Sequence, residues 1–137
     1  MRARNQQAGV MLIEALIGLL IFSVGILALI GMQAAAMRST TDAKYRSEAG
    51  FIAGQIVAQM WVDRTNMAKY DTTLAPAYAP RDDWKTSVAR LLPTGTGVIV
   101  IAPAPDIDLV TVTVSWTQPG EAQTRRFEMT SRINGGT

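Results

Sequence analysis

The chain has 137 residues, enough for one modest domain, and contains neither cysteine nor histidine. That composition excludes disulfides, thiolate zinc sites, cysteine nucleophiles and every mechanism that relies on an imidazole. The formal charge of +2 and pI near 9.3 invite a nucleic-acid reading, but Arg2 and Arg4 account for the excess: without them 11 of the 13 basic residues face 11 acidic ones, and no basic stripe interleaves with aromatics.

The first element in chain order is a short basic head, Met1 to Gly9, followed by an apolar run. Between Ala15 and Met37 lie 23 consecutive residues without a charge. As a helix they span about 35 Å, enough to cross a bilayer core of about 30 Å. A basic head before such a run keeps the N-terminus cytoplasmic and sends the following chain across. A secretory signal peptide, with Ala34-Ala35-Ala36 as cleavage site, has a shorter apolar core than this one. A plain membrane anchor accounts for the length and the arginines, with Glu14 snorkelling to the interface. It gives no reason for a carboxylate inside the apolar run, where a charge costs ~2.5–3.5 kcal/mol.

A third reading uses all these features together. Gly9 immediately precedes Val10-Met-Leu-Ile-Glu14, so a glutamate falls at the fifth position after the glycine. This resembles the class III leader of the type IV pilin-like family, in which Phe is usual where this chain has Val10. The resemblance implies cleavage between Gly9 and Val10 by prepilin peptidase and N-methylation of the new amine at Val10. It also implies that the apolar helix is retained, first as membrane anchor and then as filament core. In the family the matching glutamate neutralises the N-terminus of a neighbouring subunit, a role that falls here to Glu14. Gly18, Gly25 and Gly31 allow close helix approach in a membrane or bundle.

Beyond Met37, Ala49, Ile52, Ala53, Ile56 and Met60 recur at three- and four-residue spacing, which predicts one apolar face on a continuing helix. The long helix is therefore expected from about Val10 to about Thr65, residues 10–37 being the transmembrane and assembly half. Gly50 and Gly54 leave room for a strand to pack closely. Residues 66–80 read as an irregular loop, rich in Asn, Asp, Thr and Pro. Asp82-Asp83-Trp84 opens a short helix with an Asp near its cap, Trp84, Val88, Leu91 and Leu92 as its apolar face, and Pro93 as its stop.

Three strands are expected next. Val98–Ile101 is short and apolar. Ile107–Thr117 places Val110, Val112, Val114 and Trp116 opposite Thr111, Thr113, Ser115 and Thr117. Gln123–Ile133 places Phe127, Met129 and Ile133 opposite Arg126, Glu128, Thr130 and Arg132. Short connections predict an antiparallel meander, with the amphipathic half of the long helix covering its apolar face. The expected fold class is α+β: a pilin-like ladle in which one long N-terminal helix packs on a small three-stranded sheet, residues 38–137 forming a periplasmic domain. An outer strand edge offers unpaired ladder groups to a partner strand.

The segment Glu14 to Gln33, above all Val24-Gly-Ile-Leu-Ala-Leu-Ile-Gly-Met-Gln33, is most similar to minor pilins of the PilV type, the type IV pilus modification proteins. That resemblance implies a low-abundance subunit of a priming complex at the pilus tip. The implied partners are other minor pilins, major pilin, a tip adhesin, prepilin peptidase and the inner membrane. A minor pseudopilin of a type II secretion system shares the leader and layout, and a membrane-anchored periplasmic binding domain that never polymerises is a reading from another class. No enzyme is expected, and no cofactor. The pairs Asp82 with Asp83 and Asp106 with Asp108 lack a surrounding ligand pattern, Ser-x-x-Lys is absent, and there is no histidine for a triad.

Overall fold

The computed structural model describes residues 5–73 and 76–133. Arg2 and Arg4 of the basic head, two positions of the expected 66–80 loop and the Gly135-Gly136 end lie outside the described residues. The element order is α1 (Asn5–Val62), a 3-10 helix (Arg64–Tyr70), α2 (Ala79–Leu91), β1 (Thr96–Ile101), β2 (Leu109–Thr117) and β3 (Thr124–Arg132). The chain divides into two compact units, Met1–Asp42 and Ala43–Thr137.

In the first unit every described residue is helical, and the helix runs through Gly18, Gly25 and Gly31 without interruption. A Cβ at any of the three would meet nothing within 4 Å, so none of them packs against this chain. The large apolar side chains from Val10 to Met37 are all exposed, from 42% at Ile26 to 73% at Met11. The Ser23 hydroxyl, in the middle of the apolar run, donates to the Leu19 carbonyl at 2.7 Å, so the hydroxyl is satisfied within its own helix. α1 is long and apolar enough to cross a membrane.

The second unit is α+β. Its sheet has the order β1-β2-β3, antiparallel throughout. The predicted alternation holds: Val110, Val112, Val114 and Trp116 are buried, and the intervening threonines face out. Ala49, Ile52, Ala53, Ile56 and Met60 of α1 are buried in the same cluster, joined by Val57. Each large side chain in that cluster contributes roughly 1.5–3 kcal/mol through burial. A Cβ on Gly50 would lie 3.5 Å from the Phe127 ring of β3, so this glycine seats an aromatic of the sheet; Gly54 has nothing within 4 Å.

Three local expectations are corrected. The α-helix ends at Val62 rather than near Thr65, and the first part of the expected irregular loop is the 3-10 helix. Pro80 is not a loop residue but sits in the first turn of α2, where its missing N–H costs nothing. Leu91 is 48% exposed; the face of α2 that carries Trp84 and Val88 buries Arg81 instead.

Candidate functional site

Two places in the chain concentrate chemistry. The first is the head of α1. Gly9, Val10 and Glu14 all lie within the helix and are exposed. Val10 and Glu14 are four residues apart, so they are neighbours on one helix face. Glu14 is the only charged side chain between Asn5 and Met37, so no cation lies within helical reach of it. In an apolar environment an unpaired carboxylate here costs several kcal/mol.

The second place is the junction after α1. The Asp63 carboxylate accepts from Asn66 Nδ2 at 2.7 Å, from the Tyr70 hydroxyl at 3.1 Å and, in a very short bond, from the Tyr78 hydroxyl. The two tyrosine rings meet edge to face at 5.1 Å, and the Lys69 ammonium lies 5.7 Å from the centre of the Tyr78 ring. The Tyr78 hydroxyl, followed by the Asn66 amide, holds the Asp63 carboxyl below its ordinary pKa. Burial, reinforced by the hydrogen bond to Asp63, pushes the Tyr70 phenol up, and the bond to Asp63 does the same for Tyr78. One carboxylate thus ties together the end of α1, the 3-10 helix and the residue that caps α2. All three hydrogen-bond donors are neutral, and the arrangement is a clamp rather than an acid-base pair.

A guanidinium continues this junction. Arg81, 6% exposed, donates to the Asp71 carbonyl at 3.0 Å, to the Lys69 carbonyl at 3.4 Å and to the Asp82 carboxylate at 2.9 Å. The helix opens at Ala79 rather than at Asp82, so Asp82 lies inside its first turn, where its carboxylate accepts from the N–H of the cap residue Tyr78 at 2.9 Å. Asp71 accepts from the Thr73 N–H at 2.7 Å and the Ile101 N–H at 3.1 Å. Asp106 and Asp108 both pair with Arg132, at 3.3 and 2.9 Å, so one guanidinium holds both carboxylates. Among the described residues no acidic cluster suited to a metal ion forms.

No protein-family model, curated protein or solved structure matches this chain.

Of the residues singled out from the sequence, Gly9, Val10 and Glu14 share one helical segment. Asp63 is not among the residues that the sequence singles out. Its signal was weak: Asn66 and Tyr70 follow at helical spacings, but Tyr78 reaches it only through the fold.

Proposed function

We propose that this chain is a minor type IV pilin, a structural subunit that helps prime pilus assembly at the tip with other minor pilins and supports adhesion or motility. The observation that carries this reading is Gly9-Val10 and Glu14 at the head of a 23-residue uncharged helical stretch whose large apolar side chains are exposed. Such a surface must be covered by something apolar. Lipid covers it while the precursor sits in the inner membrane, N-terminus in the cytoplasm and residues 38–137 in the periplasm. Neighbouring helices cover it once the subunit enters the pilus at the cell surface.

In this reading prepilin peptidase cuts after Gly9 and leaves a cationic amine at Val10. Glu14 then neutralises the Val10 amine of a neighbouring subunit. Pairing two charges that each need desolvation fixes the axial stagger of the helices. The role is structural, with no catalytic residue and no cofactor.

Mass spectrometry of the mature N-terminus tests the reading. An N-methylated Val10 supports it. Met1 or Met37 as first residue overturns it, the first fitting an unprocessed anchor and the second a secretory signal. Co-purification from membranes then separates the pilus from a secretion system: minor pilins and pilus assembly factors are expected, and recovery of secretion-channel components in their place assigns the chain to a pseudopilin.

A further inference from the structure

The two edges of the sheet are treated differently. The outer edge of β1 is closed by the segment that follows the 3-10 helix. Thr72 N–H donates to the Ile99 carbonyl at 2.9 Å, and the Ile99 N–H donates to the Thr72 hydroxyl at 3.0 Å. The Ile101 N–H donates to the Asp71 carboxylate at 3.1 Å. The outer edge of β3 is nine residues long and has no backbone partner from another element among the described residues.

The register states which groups that open edge presents. Backbone groups alternate sides along an antiparallel strand. Ile99 points away from β2, so Val112 opposite it bonds toward β3, and Met129 opposite Val112 bonds back toward β2. The backbone groups of Thr124, Arg126, Glu128 and Thr130 therefore point outward. Their side chains lie on the exposed face, and Arg126 and Glu128 make no ion pair among the described residues.

We infer that the β3 edge pairs with β3 of a second copy of this chain, antiparallel about a two-fold axis at Phe127, joining two sheets into one. In that register Arg126 stands opposite Glu128 of the second copy, and Glu128 opposite its Arg126. Thr124 stands opposite Thr130. Each of these pairs exchanges two N–H···O bonds and carries complementary side chains on the same face. Moving the axis to Glu128 sets glutamate against glutamate, and moving it to Arg126 sets arginine against arginine. An axis at Met129 sets Arg126 against Arg132. The alternating charges that deter random edge pairing thus select one register and one occupant. On the inner face Phe127 meets its own copy at a position without ladder hydrogen bonds, where side chains approach most closely. This inference is independent of the pilin reading.

The test uses the full chain in detergent micelles, with the dimer dissociation constant read by sedimentation. Arg126→Glu and Glu128→Arg each turn two attractive pairs into repulsive ones and weaken the dimer roughly tenfold or more. The double variant R126E/E128R restores it. The chain has no cysteine, so Thr124→Cys with Thr130→Cys brings two symmetry-related thiol pairs together, which oxidise to a covalent dimer while neither single variant does. A chain that stays monomeric, a dimer indifferent to the charge reversals, or single-cysteine variants that cross-link as readily as the double would overturn the inference; indifference to charge means association through α1 or another surface.

Discussion

The Trp84 indole lies directly against the backbone of Gly97: a Cβ built on that glycine falls 2.5 Å from the ring. The same indole donates its N–H to the Ile52 carbonyl at 2.9 Å. One side chain of α2 is thus held between the last turns of α1 and the start of β1. Gly95 is equally constrained, since its Cβ would sit 2.4 Å from the Val88 carbonyl oxygen. The sequence Leu92-Pro-Thr-Gly-Thr-Gly97 is a turn in which two glycines supply space rather than unusual dihedral angles.

Gly97→Ala is therefore expected to destabilise the second unit by about 1–3 kcal/mol, the usual range for forcing extra volume into a packed core. Gly54→Ala, with nothing within 4 Å, is expected to be neutral or to stabilise by up to ~1 kcal/mol through helix propensity. Urea unfolding followed by tryptophan fluorescence separates the two. Equal effects from both substitutions would show that the Trp84 contact does not decide the turn.

The Asp63 clamp gives a pH dependence with a defined sign. Its folded pKa lies below the ordinary 3.8, so its contribution is complete above that unfolded value and is lost as pH falls through the folded one. Asp82, held low first by Arg81, acts in the same direction. Tyr70 is raised above its ordinary 10.0, chiefly by burial, so its contribution is complete below that value and is lost as pH rises through the folded one. The urea midpoint of the wild type should drop on both flanks. Asp63→Asn should flatten the acid flank and Tyr70→Phe the alkaline one. Acid flanks that run parallel in wild type and Asp63→Asn would remove Asp63 from the account.

How much of this was legible beforehand differs from element to element. Val110, Val112, Val114 and Trp116 alternate with Thr and Ser, and Ala49 through Met60 keep a helical spacing, so the sheet, its buried face and its covering helix follow from periodicity alone. Arg81 does not. A guanidinium is placed outside by any pattern rule, yet here it is buried because the Asp71 and Lys69 carbonyls and the Asp82 carboxylate surround it. Leu91, one position from the stripe, faces solvent, and Leu92 takes the buried place next to Val88. The 3-10 helix has no strong period of its own and ends in Tyr70, whose hydroxyl bonds Asp63. The head of α1 is the reverse case: Gly9, Val10 and Glu14 stand out in the sequence, and the fold adds their exposure on one helix.

One hydroxyl adds two bonds to the closure of the β1 edge, beside the Thr72 N–H on the Ile99 carbonyl and the Asp71 carboxylate on the Ile101 N–H. Thr72 Oγ1 donates to the Ile99 carbonyl at 3.0 Å and accepts the Ile99 N–H at the same distance. Thr72→Val keeps the shape and removes both bonds, stranding a half-buried amide at a cost of about 1–3 kcal/mol. Thr72→Ser retains both. Hydrogen exchange at the Ile99 amide should accelerate in the valine variant more than at Val112 in the middle of the sheet. An unchanged Ile99 rate would show that the edge is held by the Thr72 backbone N–H and Asp71 without the hydroxyl.

Glu14 is where the proposed role is most exposed to test. Its carboxylate stands in an apolar helical stretch with no charged neighbour from Asn5 to Met37, which in a bundle of such helices is tolerable only beside a cation. Glu14→Gln removes the charge and keeps the size, whereas Glu14→Asp keeps the charge on a shorter stem. If the carboxylate pairs with the Val10 amine of a neighbouring subunit, Glu14→Gln and Glu14→Leu should both be processed and inserted like wild type but fall at least about tenfold in sheared pilus fractions, the loss expected when a buried cation is left alone. The aspartate variant should retain part of the incorporation. Glu14→Gln in pilus fractions at wild-type levels would sink the pairing role even if Val10 proves to be the mature N-terminus, because cleavage and pairing are separate events at neighbouring residues.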